Sequence, residues 1–268
     1  MCRWIMYHGE KIKMSDLLVD PENSLIHQSI HSSQGVVPVN GDGFGIGWYT
    51  NLHKEPGIYK DPLPAWRNQN LISIAKHIKS RNFMAHVRAG TIAPTSHLNC
   101  HPFVFKNQMF MHNGSIGNFD NIRQEIEQLI KPEYFKIRYG STDSEALFLL
   151  ALSNDLENDP KSAIVKSIEQ IQKIQRKNGL EEKVKASMAY SSGETSYSLK
   201  ISTIANQPSL YYMNYEDILV TLNLPLKERY RNSFVVLSEP LVNSDLYRYV
   251  DNYSCIEITQ NKFNVQKL

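Results

Sequence analysis

Two kinds of hydrophobic pattern share the 268 residues. Short runs rich in aromatic and β-branched residues, bounded by Gly, Asn, Ser or Pro, predict strands over 44–49, 83–88, 103–105 with 109–112, 185–190, 197–204, 210–214 and 234–238. Runs with a 3.6-residue period predict helices. Leu71, Ile74, Ala75 and Ile78 mark one, Ile122, Ile126, Leu129 and Ile130 a second, and Ala146, Leu149 and Leu150 a third. The longest carries Ile164, Val165, Ile168, Ile171 and Ile174 and should stop at Gly179, a favoured residue just past a helix end. The helices cluster in the middle with strands before and after them, which predicts sheets packed inside helical layers rather than a regular βαβ alternation.

Phe44, Ile46 and Trp48 alternate with Gly45 and Gly47 in NGDGFGIGWY. This period of two predicts a strand whose glycine face lets another backbone or a ligand approach closely. The glycines fit neither the dinucleotide fingerprint nor a P-loop, since neither Gly41 nor Gly43 has its partner at i+5 and no Gly-Lys-Ser/Thr follows. Residues 51–70, with Pro56, Pro62 and Pro64, look like a surface excursion.

Composition narrows the class. With 41% hydrophobic and 21% charged residues the chain is ordinary globular protein, so disordered, collagen-like and coiled-coil classes are excluded. No repeat, low-complexity tract or linker divides it, and a single domain over 1–268 is expected. A net charge of +2 gives no reason to expect a nucleic acid or an anionic membrane as partner. The longest strongly apolar stretch, 146–152, is far short of the ~20 residues of a membrane span. The N-terminus carries no apolar core of secretory length, and Cys2, Cys100 and Cys255 are too few for a disulfide framework, so a cytoplasmic setting is expected.

Several residues could carry chemistry. Cys2 follows the initiator Met, and removal of Met1 would leave a thiol and a free α-amine on one residue. Arg88 ends an apolar strand, as an exposed charge or as a fork for a carboxylate. Asn113-Gly114 is by default a turn dipeptide, and also a compact way to aim a side-chain amide and a backbone N–H at an oxyanion. Thr142 and Glu145 read as a capping box that places Asp143 in a first helical turn. His27 and His31 are four apart without an intervening Glu, and His97, Cys100, His101 and His112 match no common zinc spacing, so hydrogen-bonding roles are preferred to a metal site.

Taken in order, Cys2, HVRAGT at 86–91, NCHPF at 99–103, HNG at 112–114 and GSTDSEALF at 140–148 resemble a class II glutamine amidotransferase of the N-terminal-nucleophile hydrolases. The opening MCRW, NGDGFGIGWY and SEPL at 238–241 are similar to the stand-alone YafJ-like subgroup, which includes the ergothioneine-pathway γ-glutamyl amidohydrolase and the fungal glutathione-degradation subunit. The resemblance covers residues 2–241 and implies an α+β fold, a four-layer αββα sandwich. It implies Cys2 as nucleophile with its own α-amine as base, and Asn113 and Gly114 as the oxyanion hole. Arg88 would clamp the substrate α-carboxylate and Asp143 the α-ammonium, with Thr91 and His101 in support. No metal and no organic cofactor are implied. Ala89 stands where many glutamine-dependent synthases carry an aromatic residue, so a leaving group larger than ammonia is expected to fit. The chain shows no synthase domain, which leaves two enzymatic versions: hydrolysis of a γ-glutamyl amide or peptide, which is favoured, or transfer of ammonia to a separate accepting or peptidase subunit. A non-catalytic glutamine-sensing module on the same fold is the rival. Residues 242–268 could complete the sheet or form an interface.

Overall fold

A computed structural model describes residues 2–35, 37–90, 93–221, 230–260 and 262–268. Its centre is two antiparallel sheets lying face to face. The first runs β11 (Arg248–Tyr249), β9 (Tyr211–Asn214), β10 (Phe234–Leu237), β1 (Arg3–Lys13), β4 (Lys79–Val87), β2 (Phe44–Trp48), β3 (Gly57–Asp61). The second runs β13 (Phe263–Lys267), β12 (Ser254–Ile258), β8 (Ser196–Ser202), β7 (Val184–Ser191), β6 (Gln108–Ile116), β5 (Phe103–Phe105). Helices α1 (Ser15–Leu18), α2 (Leu25–Ile30), α3 (Gln69–His77) and α8 (Tyr215–Thr221) cover the first sheet. Helices α4 (Phe119–Gln128), α5 (Pro132–Phe135), α6 (Asp143–Ser153) and α7 (Pro160–Lys177) cover the second.

Strand alternation explains the layers. On β1, Trp4 and Met6 point between the sheets, where they meet Met84, Met109, Met111, Ala189 and Val236. Ile5 and Tyr7 point the other way, with Phe83 and Phe44, onto the helices. Both faces of β1 are therefore buried, which accounts for its nearly continuous apolar opening RWIMY. The second sheet repeats the arrangement, with Phe110, Met188, Tyr190 and Leu199 under α4, α6 and α7. Helix α6 is buried from Ser144 to Leu152, as a helix apolar all round must be. The result is the four-layer αββα sandwich.

The glycine face of β2 serves a backbone. A Cβ at Gly45 would stand 2.0 Å from the His101 carbonyl oxygen, so only glycine lets the 101–103 segment cross there. Gly179 also fulfils its expected role. At φ +67 it closes α7, its N–H donating to Arg176 O and that of Leu180 to Gln175 O, a Schellman motif.

Three expectations are corrected. Asn113-Gly114 is no turn, because β6 runs through it in register with Ser187 and Ala186 of β7. The 51–70 excursion contains strand β3, hydrogen-bonded along β2. Thr142 does cap α6, accepting from Glu145 N, but the Glu145 carboxylate does not return to Thr142. It takes Arg138 Nη1 at 2.7 Å and the N–H groups of Tyr139 and Gly140 instead. The C-terminal residues complete the second sheet as β12 and β13.

Candidate active site

Cys2 stands one residue ahead of β1, the central strand of its sheet, and the alternation of β1 puts it on the inter-sheet side with Trp4 and Met6. Arg3 pairs with Val87, so Cys2 falls opposite the segment that continues β4. There the Ala89 N–H donates to Cys2 Sγ at 3.4 Å. Burial pushes the thiol up, while that N–H and the charges of Arg88 and Arg3 act in the opposite direction. Among the described residues, no imidazole or carboxylate hydrogen-bonds the sulfur. Met1, whose removal would free the amine of Cys2, lies outside the described residues.

A cavity of about 60 Å³ opens beside Cys2 and is shared by Arg88, Gly114, Asp143, His101 and His112, among others. Arg88 is buried, and among the described residues its guanidinium hydrogen-bonds to carbonyls alone: Asp42 O at 3.3 Å, Ala93 O at 2.7 Å and Pro94 O at 3.4 Å. Gly90 lies against the guanidinium, and a Cβ there would be 3.1 Å from its central carbon and both terminal nitrogens. The Gly90 N–H donates to Asp42 Oδ2 at 2.7 Å, and the backbones of residues 42–43 and 88 exchange two hydrogen bonds. The NGDG segment thus braces the turn that holds both Arg88 and the thiol.

Asp143 occupies the first turn of α6, where the helix dipole favours a carboxylate. Its Oδ1 accepts from Ser144 N and its Oδ2 from Ile116 N, both at 2.8 Å. The second contact also orients β6. The Ile116 N–H points away from β7, so the Gly114 N–H two residues earlier points the same way, past the end of β5 at Phe103–Phe110. A Cβ at Gly114 would stand 1.8 Å from Lys185 O, so this position admits only glycine.

Asn113 does not line the cavity. It lies on the opposite face of β6, the inter-sheet side of Met111 and Met109. Its carboxamide is wholly buried, and neither Nδ2 nor Oδ1 has a hydrogen-bond partner among the described residues. A buried amide left with four unused hydrogen-bonding positions costs about 1–3 kcal/mol or more unless something binds it.

Three neutral imidazoles sit beneath the cavity. His101 stacks on His86 at 4.1 Å and meets Phe103 edge-on. Burial, then neighbouring positive groups, holds His86 down to about 3 and His101 well below the usual value. Burial also lowers His112, against the pull of Asp143. The His112 Nε2–H donates to Lys185 O, which assigns Nδ1 as acceptor for the Ser144 hydroxyl. Thr91 lies outside the described residues. His27 bonds Asn23 and Cys100 bonds the carbonyls of Asp61 and Ser96. Among the described residues no three His, Cys, Asp or Glu side chains converge as metal ligands.

Sequence reasoning missed the roles of Asp42, Gly90 and Asn99, which act on the site through side-chain to backbone hydrogen bonds. It also missed what joins MCRW to SEPL. Arg3, fully buried, pairs with Glu239 at 3.4 Å on the helix side of β1. Burial would raise Glu239, but hydrogen bonds from Ser32, Ser33 and Gln34 outweigh it and hold the carboxyl below the usual range. A larger cleft of about 870 Å³ lies beside His8–Lys11, where the pairing of β1 with β4 shifts register, some ~20 Å along the strand from Cys2.

Two antiparallel sheets between helical layers, with a cysteine leading into a central strand, define an N-terminal-nucleophile hydrolase fold. The profile of the class II glutamine amidotransferases matches residues 14–252, and the chain belongs to that family. A class II glutamine aminotransferase-domain protein from Silicibacter pomeroyi superposes with a TM-score of 0.74 at 30% identity, covering 99% of each chain. The glutamine phosphoribosylpyrophosphate amidotransferase of B. subtilis shares the fold, with a TM-score of 0.60 at 16% identity over 99% of this chain and 49% of its own. The probable glutamine amidotransferase DUG3 of Saccharomyces cerevisiae is 43% identical over 171 residues, 60% of this chain and 48% of that one. The γ-glutamyl-hercynylcysteine sulfoxide hydrolase of Mycobacterium tuberculosis is 28% identical over 43% of this chain and 50% of its own. The matches thus span about half the length of these curated relatives.

Proposed function

We propose that the chain is a cysteine amidohydrolase that cleaves the γ-amide bond of glutamine or of a γ-glutamyl compound. The observation that carries this reading is the single small cavity shared by Cys2, Arg88, Gly114 and Asp143, with the Asn113 carboxamide, unpartnered among the described residues, on the opposite, inter-sheet face of β6. Arg88, whose guanidinium has carbonyls as its partners among the described residues, takes the substrate α-carboxylate, and Asp143 takes the α-ammonium.

Once Met1 is removed, the α-amine of Cys2 accepts the thiol proton. The two groups titrate within about a unit of each other in water, so the transfer is nearly balanced. Sulfur attacks the γ-carbonyl carbon, and the oxyanion is met by the Gly114 N–H from the cavity and, from the inter-sheet side on which Cys2 also lies, by Asn113 Nδ2. The intermediate collapses by breaking the C–N bond, and the ammonium of Cys2 returns its proton to the departing amine. Water then adds to the γ-glutamyl thioester, giving its proton to the amine, and glutamate leaves as the thiol is restored.

Hydrolysis, rather than delivery of ammonia to a separate accepting or peptidase subunit, is favoured by two observations. One is similarity to a protein named γ-glutamyl-hercynylcysteine sulfoxide hydrolase, and the other is Ala89, a small residue that lines the cavity beside the thiol. We place the protein in a reducing, cytoplasmic setting, where the thiol survives. No described helix is long and apolar enough to cross a membrane.

Intact mass before and after incubation with a diazoketone analogue of glutamine tests the reading. Loss of Met1 and one covalent adduct, absent from Cys2→Ala, are expected. A retained Met1 with no adduct would overturn the catalytic reading in favour of a glutamine-sensing module.

A further inference from the structure

The two charges assigned to the substrate's amino-acid end stand on unrelated parts of the fold. Arg88 follows β4 and is held from the far side of its turn by Ala93 O and Pro94 O. Asp143 follows a bend at residues 140–142 that leads into α6. A clamp for one small zwitterion needs these two segments at a fixed separation, and one side chain joins them.

Asn99, 2% exposed, sends its Nδ2 to Pro94 O at 2.9 Å and to Ser141 Oγ at 3.3 Å, while its Oδ1 accepts from Ser141 N at 3.0 Å. Pro94 O is the same oxygen that receives Arg88 Nη1, and Ser141 is two residues from Asp143. The geometry needs an amide. Its NH₂ serves one acceptor on each segment while its carbonyl takes a backbone N–H, three of the four bonds such a group can make. A carboxylate would face Pro94 O with no proton, and an apolar residue would leave Pro94 O with the longer bond from Arg88 alone and take the acceptor from Ser141 N, so that nothing ties the two segments together. Gly140 is held to the same spot, since a Cβ there would stand 2.6 Å from Asn99 Oδ1.

We infer that Asn99 is a positioning residue that sets the distance between Arg88 and Asp143, and thereby restricts the site to glutamyl groups with both the α-amine and the α-carboxylate free. The inference rests on the clamp assigned under Proposed function. Its effect falls on substrate binding and selection, because Asn99 touches neither Cys2 nor the oxyanion donors.

The test is steady-state hydrolysis of L-γ-glutamyl-p-nitroanilide and its N-acetyl derivative by the parent, Asn99→Ala and Asn99→Asp, with the rate at which iodoacetamide alkylates Cys2. Expected for both variants is a KM raised about tenfold, with kcat within about threefold of the parent. Discrimination against the N-acetyl substrate should fall by a similar factor. Alkylation should stay within about twofold, since that reagent needs no clamp. An unchanged KM and unchanged discrimination in folded protein would overturn the inference, as would a fall in kcat matched by slower alkylation. Failure of both variants to fold would assign Asn99 to the fold and overturn it too. Arg88→Ala and Asp143→Asn run alongside. If they leave KM and discrimination unchanged, the clamp itself is wrong; if they shift both while the Asn99 variants do not, only the role of Asn99 is wrong.

Discussion

Arg88 and Asp143 face one cavity and are held there by opposite means. Asp143 belongs to regular structure: it sits in the first turn of a fully buried helix, and the N–H groups of Ile116 and Ser144 fix its two oxygens. Arg88 belongs to a turn, and its charge rests on three carbonyls, the braced NGDG segment and the glycine at 90. The anionic half is therefore pre-formed by secondary structure, whereas the cationic half is assembled by tertiary contacts. A site built this way should tolerate change at Asp143 better than at Arg88.

The strongest way to break the comparison is to separate binding from chemistry. Cys2→Ala should show no detectable turnover yet still bind glutamate by calorimetry, because neither half of the clamp involves the sulfur. Asn113→Ala should follow, with turnover reduced about 10²–10³-fold at nearly constant KM in amide-hydrolysis assays. Arg88→Lys should lower kcat/KM about a hundredfold, through loss of the planar fork, while Asp143→Asn, which keeps an acceptor for Ile116 N, should lower it about tenfold. Equal losses, or the reverse order, would dissolve the asymmetry. Ala89→Phe should reduce cleavage of γ-glutamyl anilides more than that of glutamine, about tenfold in the ratio of their kcat/KM values.

The smallest effect is on stability. His86 and His8 are held by burial at about 3 and about 4, and His101 and His112 are also lowered. An imidazole whose folded value lies below its unfolded one takes up a proton more readily in the unfolded chain. Its favourable contribution is complete above about 6.5 and is lost as pH falls from there toward the folded value. Melting temperature should therefore drop between pH 7 and 5. The drop should be shallower in His8→Gln, which touches only the far cleft, with activity at pH 7 unchanged.

Much of this organisation was legible in the sequence. The long helices, the central strands and the glycine face of β2 follow from period and punctuation, whereas the approach of Cys2, Arg88, Gly114, Asp143 and His101 was implied by the family resemblance of their motifs. Edge elements were not. β3 is half-buried along its length, and β13 presents the mixed pattern FNVQK, so neither carries a clean alternation. Asn113-Gly114 read as a turn because the dipeptide favours one locally, whereas pairing with β7 over eight residues decides the outcome. Asp42, Gly90 and Asn99 were hidden for another reason. Each joins a side chain to a backbone group brought near by topology, as with Asp42 and Gly90, 48 residues apart, and no spacing in the chain announces such contacts.

The central place of β1, between β10 and β4, has a practical side. An affinity tag fused ahead of Cys2 would have to emerge from the middle of the sandwich, past Ala89 and the mouth of the cavity. At the far edge of the other sheet, β13 ends at Lys267 and the next residue, Leu268, is 40% exposed. Labels, tethers and immobilisation chemistry attached there leave the working end of the molecule untouched.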